Sequence, residues 1–161
     1  MIKLMYIGIG IIALLVILII TGRKSVRHEI SINASPEEVW SVLMDTEKYT
    51  DWNPTMNLLE GEIKEGNKVK YQFTQDDENV MIITSNVKRI EQHKLLNQGG
   101  GIPLILTFDH RYILIPDGEQ TKVIISEAYR GIGVNFWNPK PVEQAYKRLN
   151  KALKTQVENL K

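Results

Sequence analysis

The chain has 161 residues, enough for one domain with a real core and too few for two ordinary domains beside the apolar segment at its start. Of its 20 Lys and Arg only Lys3 precedes that segment, so the remainder carries 19 basic and 19 acidic residues, a balance that argues against binding nucleic acid through bulk charge. The absence of cysteine excludes a disulfide framework, a thiolate metal site, a cysteine nucleophile and a lipidated cysteine.

Leu4 to Ile20 is uncharged and almost wholly aliphatic. As a helix it would be about 26 Å long, close to the ~30 Å hydrocarbon layer of a bilayer, so residues 1–22 are expected to form an N-terminal transmembrane anchor. A cleaved signal peptide is disfavoured because Thr21, Gly22, Arg23, Lys24 and Ser25 make a poor cleavage site and an acceptable interface flank. A buried core helix is disfavoured because the run has no polar face. Arg23, Lys24 and Arg27 on the C-terminal flank outweigh Lys3 and the amino terminus, which places the following domain, residues 23–161, on the cytoplasmic side of the cell membrane by the positive-inside tendency. A link of about six residues, at most roughly 20 Å long, would hold it near the bilayer.

Ser25 to Ala34 alternates, with Val26, His28, Ile30 and Ile32 on one face, and reads as a half-buried first strand. Ser35 offers an N-cap, Pro36 suits the first helical position, and Glu38 completes an S-x-x-E capping box. Val39, Trp40 and Leu43 then form a buried stripe. A second short helix around Thr46–Tyr49 ends at Trp52, Asn53 and Pro54, since a proline disfavours helix for the residue before it.

From Met56 to Arg130 turn residues punctuate runs such as VKYQF, VMIITSNVKRI, LILTFDHRYILI and TKVIISEAY. The short connections imply antiparallel neighbours, giving about six strands and a sheet of about seven with the first. Gly99 to Pro103 reads as a mobile mouth or strand connection and lacks the G-x-x-x-x-G-K-[ST] pattern of a phosphate loop. Phe136 to Lys161 closes the chain as a helix, with Val142, Ala145, Tyr146, Leu149, Ala152, Leu153 and Leu160 on one side. The class is therefore α+β.

The stretch ASPEEVWSVLMDTEKYTDWNP, with Ser35, Pro36, Glu37, Val39, Trp40, Asp45, Tyr49, Trp52, Asn53 and Pro54 at its marked positions, resembles the opening of the START-like (SRPBCC) helix-grip superfamily, in its polyketide cyclase/dehydrase and lipid-transport branch. The later segments FDHRYIL and GEQTKVIISEAYRG are similar to paired strands of the same family, through His110, Arg111, Tyr112, Gly118, Thr121, Glu127, Tyr129 and Gly131. The resemblance covers roughly Val26 to Lys161. It implies a curved antiparallel sheet wrapped on a long C-terminal helix, with a cavity between them in many relatives. The same scaffold hosts enzymes, lipid carriers and chaperone modulators, so the resemblance speaks to fold more than to function.

If the PDGEQ turn joins two strands, parity puts Phe108, His110, Tyr112 and Leu114 on one face with Val123, Ile125, Glu127 and Tyr129, and this mostly apolar set is the expected inner face. His110 and Glu127 are then near enough to pair. Two readings stay open: a polar ligand anchor or acid/base pair, and a satisfied structural hydrogen bond of the kind buried polar groups need in any case. Tyr71, Phe73, Phe136, Trp137 and Tyr146 are further cavity candidates by expected position, whereas Trp40, Trp52 and Tyr49 read as core. His28, His93 and His110 show no metal spacing, and neither metal nor cofactor is expected. The favoured function is a membrane-tethered module binding an apolar or amphipathic small molecule such as a lipid, isoprenoid or polyketide. The rivals are a cyclase/dehydratase-type enzyme using His110 and Glu127, and a protein-interaction or regulatory module.

Overall fold

In the computed structural model, which describes residues 2–160 with the side chains of Ile2 and Leu4 excepted, helix α1 (Ile2–Thr21) leads into strand β1 (Arg23–Ile32). Met1 of the expected anchor and Lys161 of the expected last helix lie outside the described residues. Helix α2 (Pro36–Met44), a 3-10 turn (Thr46–Lys48) and helix α3 (Tyr49–Trp52) form a corner. The strands β2 (Met56–Glu60), β3 (Lys68–Thr74), β4 (Val80–Glu91), β5 (Leu95–Ile102), β6 (Leu106–Asp117) and β7 (Gln120–Arg130) follow, and a 3-10 turn (Ile132–Phe136) leads to helix α4 (Lys140–Asn159). All seven strands pair antiparallel in the order β1-β7-β6-β5-β4-β3-β2, so the meander closes against the first strand.

Local chemistry accounts for the corner. Ser35 accepts from the amide of Glu38 at 3.3 Å while the Glu38 carboxylate accepts from the amide of Ser35 at 2.7 Å, so both halves of the capping box form. The Tyr49 hydroxyl donates to Leu43 O at 2.5 Å, tying α3 to α2. Where Pro54 ends the helical run, Asn53 Oδ1 accepts from the amides of Thr55 at 3.0 Å and Met56 at 2.8 Å and starts the sheet.

Helix α4 lies across the inner face. Its stripe of Val142, Ala145, Tyr146, Leu149, Leu153 and Val157 is buried in one cluster with Val26 and Ile32 of β1, Leu114 of β6 and Val123 and Ile125 of β7. Each of its larger aliphatic side chains contributes about 1.5–3 kcal/mol by leaving water. Two residues expected in that stripe depart from it: Ala152 is half-buried, and Leu160 lies exposed beyond the helix end, beside a small concavity lined by Val42 and Trp52.

The expectation of a mobile mouth or strand connection at Gly99–Pro103 is corrected for the glycines, while Pro103 does lie in the turn that connects β5 to β6. Gly99, Gly100 and Gly101 belong to β5 and pair with Asp109, Phe108 and Thr107 of β6. A Cβ at Gly100 would meet the Phe108 ring at 3.1 Å and Thr84 O closer still, so glycine is there because a backbone carbonyl and an aromatic ring both approach the strand closely.

The N-terminal segment differs from expectation in two respects. The six-residue link does not exist: Gly22 alone separates α1 from β1. Its amide donates to Leu18 O at 3.0 Å, and its carbonyl accepts from the amide of Gly131 at 2.9 Å. Apolar side chains along α1, among them Ile9, Ile11, Ile12, Leu14 and Ile17, are exposed. The expected transmembrane anchor is not supported as a span: among the described residues no helix is long and apolar enough to cross a membrane. The fully described stretch, residues 5–21, has 17 residues, about 26 Å against a hydrocarbon layer of about 30 Å.

Candidate functional site

The β6–β7 hairpin turns through Gly118 and Glu119, with Gly118 at φ +62°, a left-handed conformation that tight hairpins require. This turn fixes the register. Phe108 faces Tyr129, His110 faces Glu127, Tyr112 faces Ile125 and Leu114 faces Val123, all on the inner face. The next strand places Gln98 beside His110, so one row across the sheet reads Gln98, His110, Glu127, Val26.

His110 and Glu127 are 3 % and 7 % exposed, and the His110 Nδ1 to Glu127 Oε2 distance is 3.9 Å. Tyr146 of α4 bridges that gap. Its hydroxyl donates to Glu127 Oε2 and lies 3.1 Å from His110 Nδ1, while the Tyr129 hydroxyl donates to the same carboxylate oxygen at 2.5 Å. The donor order gives a relay from His110 Nδ1–H through the Tyr146 hydroxyl to the Glu127 carboxylate.

Burial pushes the Glu127 carboxyl upward, but the adjacent His110 and the two phenols outweigh it and hold the group below its ordinary value. At 3.9 Å the imidazole acts on the carboxylate through charge and through Tyr146, not by a direct hydrogen bond. Burial and the neighbouring Glu127 charge in turn push both Tyr129 and Tyr146 well up, so both remain hydroxyl donors at neutral pH.

Two polar atoms are left poorly used. Among the described residues His110 Nε2 is buried with no hydrogen-bond partner, and the Tyr112 hydroxyl has only the Met56 thioether at 3.8 Å. Their rings meet edge to face with centroids 4.8 Å apart. An orphaned buried group of this kind costs about 1–3 kcal/mol until something satisfies it.

Seven of the residues singled out in the sequence, Tyr71, Phe73, His110, Tyr112, Glu127, Tyr129 and Tyr146, are buried in this region, while Phe108 and Trp137 are half-buried beside it. Trp137 packs against Tyr129 with ring centroids 4.5 Å apart. Phe136 does not belong: it lies at the end of the 3-10 turn and is exposed, because the turn carries its side chain away from the sheet. These side chains pack together in the space between sheet and α4. The larger concavity, about 760 Å³, opens on the outer face, where Ser25, Arg27, Lys88, Asp109, Arg111 and Arg130 line it. Among the described residues no cluster of ligating side chains could hold a metal ion.

Sequence reasoning misses Gln98 and the bridging role of Tyr146. Gln98 is buried, and its amide donates to the Tyr71 hydroxyl at 2.9 Å; burial pushes that hydroxyl up to about 12. Strand alternation through Leu96, Gln98 and Gly100 is the available signal, hidden when the glycines are read as a loop.

A seven-stranded antiparallel sheet wrapped on one long helix defines a class of fold seen in other solved structures. The protein Ara h 8.0201 aligns with TM-score 0.66 and 15 % identity over 85 % of this chain and 99 % of that one. TTHA0849 from Thermus thermophilus aligns with TM-score 0.67 and 18 % identity over 85 % and 99 %. Ms6760 from Mycobacterium smegmatis aligns with TM-score 0.68 and 10 % identity over 85 % and 92 %. At these identities the likeness concerns the fold alone. The chain itself belongs to the family described as polyketide cyclase / dehydrase and lipid transport, which matches residues 23–158. Among curated proteins there is no match.

Proposed function

We propose that the chain is a binding module for an apolar or amphipathic small molecule, lipid, isoprenoid or polyketide-like, held between sheet and α4 and tethered to the cell membrane by α1. The observation that carries the reading is His110 Nε2, buried and unpaired at the end of a fully bonded relay, with the underused Tyr112 hydroxyl beside it. A ligand hydroxyl would satisfy both, donating to Nε2 and accepting from the Tyr112 hydroxyl, while Phe73, Phe108 and Trp137 supply apolar surface. The family supports the hydrophobic class of ligand. The tether is supported by the exposed apolar side chains along α1, among them Ile9, Ile12 and Ile17. Arg23 and Arg27 at its domain end favour the cytoplasmic face.

The second reading, a cyclase- or dehydratase-type enzyme, is favoured by the relay. In it Glu127 and Tyr146 orient His110 as the acid/base group. The burial of both side chains, which limits a substrate's access to the pair, places it second.

The test is to purify the full chain in mild detergent and identify co-purified small molecules by mass spectrometry. An amphipathic species near one per chain is expected, and it should be lost in His110→Leu. Recovery of the same species, in the same amount, from the variant would refute the assigned site.

A further inference from the structure

One end of the sheet carries an apolar surface that the ligand site does not use. Ile102, Leu104 and Ile105 at the β5–β6 turn are 61 %, 64 % and 57 % exposed, and Phe136 is 78 % exposed. These residues are joined to the base of α1 by the backbone. The amides of Ile132 and Gly133 donate to Leu104 O and Ile105 O, each at 2.9 Å, and the same turn reaches α1 through Asn135 Nδ2, which donates to Leu18 O at 2.8 Å. The apolar patch is therefore continuous with the helix end.

Two further observations single out this end. Leu104 has φ +66°, a left-handed conformation that glycine or asparagine adopts far more readily, so the turn presents a leucine to the outside against its conformational preference. Arg23 and Arg130 lie directly opposite each other on β1 and β7, both exposed, and neither has a carboxylate partner among the described residues. Like charges in that position repel unless an anion joins them. The acidic β3–β4 turn, Asp76, Asp77 and Glu78, closes the same end nearer the opposite edge of the sheet, beside the exposed Val80, Met81 and Ile82 at the start of β4.

We propose that Ile102, Leu104, Ile105 and Phe136 form a second membrane contact, dipping into the headgroup and upper acyl region beside α1 while Arg23 and Arg130 bind lipid phosphates. The inference rests on α1 lying in a bilayer. It deepens the function: the half-buried Phe108 and Trp137 flank Tyr129, one position in from Arg130, so a ligand leaving the inner site past them would reach the lipid without crossing water.

Because the chain has no cysteine, a single introduced thiol can be labelled uniquely. Full-length Leu104→Cys, Phe136→Cys, Ile115→Cys and Ile12→Cys are each labelled with an environment-sensitive NBD dye in vesicles of phosphatidylcholine and phosphatidylglycerol, with doxyl spin labels placed shallow or deep in the lipid. Labels at 104 and 136 should emit further to the blue and be quenched about twofold by the shallow spin label, as expected for insertion of about 5–10 Å. The label at 115, at the far end of β6, should stay water-exposed. A water-exposed signal at both 104 and 136 would overturn the proposal even if the label at 12 is quenched. Absence of quenching at 12 by the deep spin label would instead remove the tether reading, leaving 104 and 136 to be judged by their own signals. Self-quenching that follows protein density and ignores spin-labelled lipid would assign the patch to a second copy of the chain and equally overturn it.

Discussion

Removing one oxygen at Tyr146 tests the relay most directly. Tyr146→Phe keeps the ring and its edge contacts with His110 and Phe73, at centroid distances of 5.3 and 6.2 Å, so packing is conserved while two hydrogen bonds disappear. The bond to the Glu127 carboxylate is charge-assisted and worth about 1.5–3 kcal/mol, and His110 Nδ1 is left without its partner at a further ~1–3 kcal/mol. These terms overlap, so the expected loss is about 2–4 kcal/mol, or roughly 6–12 °C in Tm for a chain of this size. The sign of the pH dependence follows from Glu127. Its folded-state carboxyl sits below the unfolded value of 4.5, so the stability it contributes is present above that value and is lost as pH falls through the folded one. Tyr146→Phe weakens the depression, so the gap between wild type and variant should be widest near pH ~7 and narrow below pH ~4. Urea unfolding of the full chain in detergent, followed by the fluorescence of Trp40, Trp52 and Trp137, measures both quantities. A loss below about 0.5 kcal/mol, or the same loss at both pH values, would show that Tyr146 is a packing residue and not a bridge.

Three further changes probe the surroundings. Ser35→Ala should remove one half of the capping box and cost about 1 kcal/mol by the same unfolding assay, whereas Ser35→Asp should recover most of it. Gly100→Ala should press a methyl group against the Phe108 ring and Thr84 O and cost about 1–3 kcal/mol; combining it with Phe108→Leu should give back part of the ring component of that loss. His110→Leu removes the unpaired Nε2 and leaves the Tyr146 hydroxyl its bond to Glu127, so its Tm should fall by less than that of Glu127→Leu, which leaves two phenols without that acceptor.

The parts of this structure set by local chemistry were readable in the chain. Ser35, Pro36 and Glu38 announce a helix start because every atom involved lies within one turn. The facing of His110 and Glu127 follows from a two-residue turn and the period of two in a strand. What stayed hidden depends on elements far apart in sequence. Nothing local shows that Tyr146, on the last helix, inserts its hydroxyl between residues of β6 and β7. Gly99–Gly101 look like a loop until Phe108 is seen lying over Gly100. Phe136 matched the composition of a cavity wall, and only the 3-10 turn before Pro139 sends it outward.

The single-residue join at Gly22 has a mechanical meaning. A side chain there would collide with Gly131 O, and a Cβ at Gly131, which has φ +129°, would collide with Ile105 O, so three backbone segments are stacked without intervening side chains. A pendant domain on a slack linker swings freely and samples every attitude. Here α1 acts as a rigid lever arm, and any tilt or twist of the helix is delivered to the β5–β6 turn and to the start of β1. Lengthening the join by a few flexible residues should leave the fold and the relay untouched while uncoupling the domain's attitude from that of its helix.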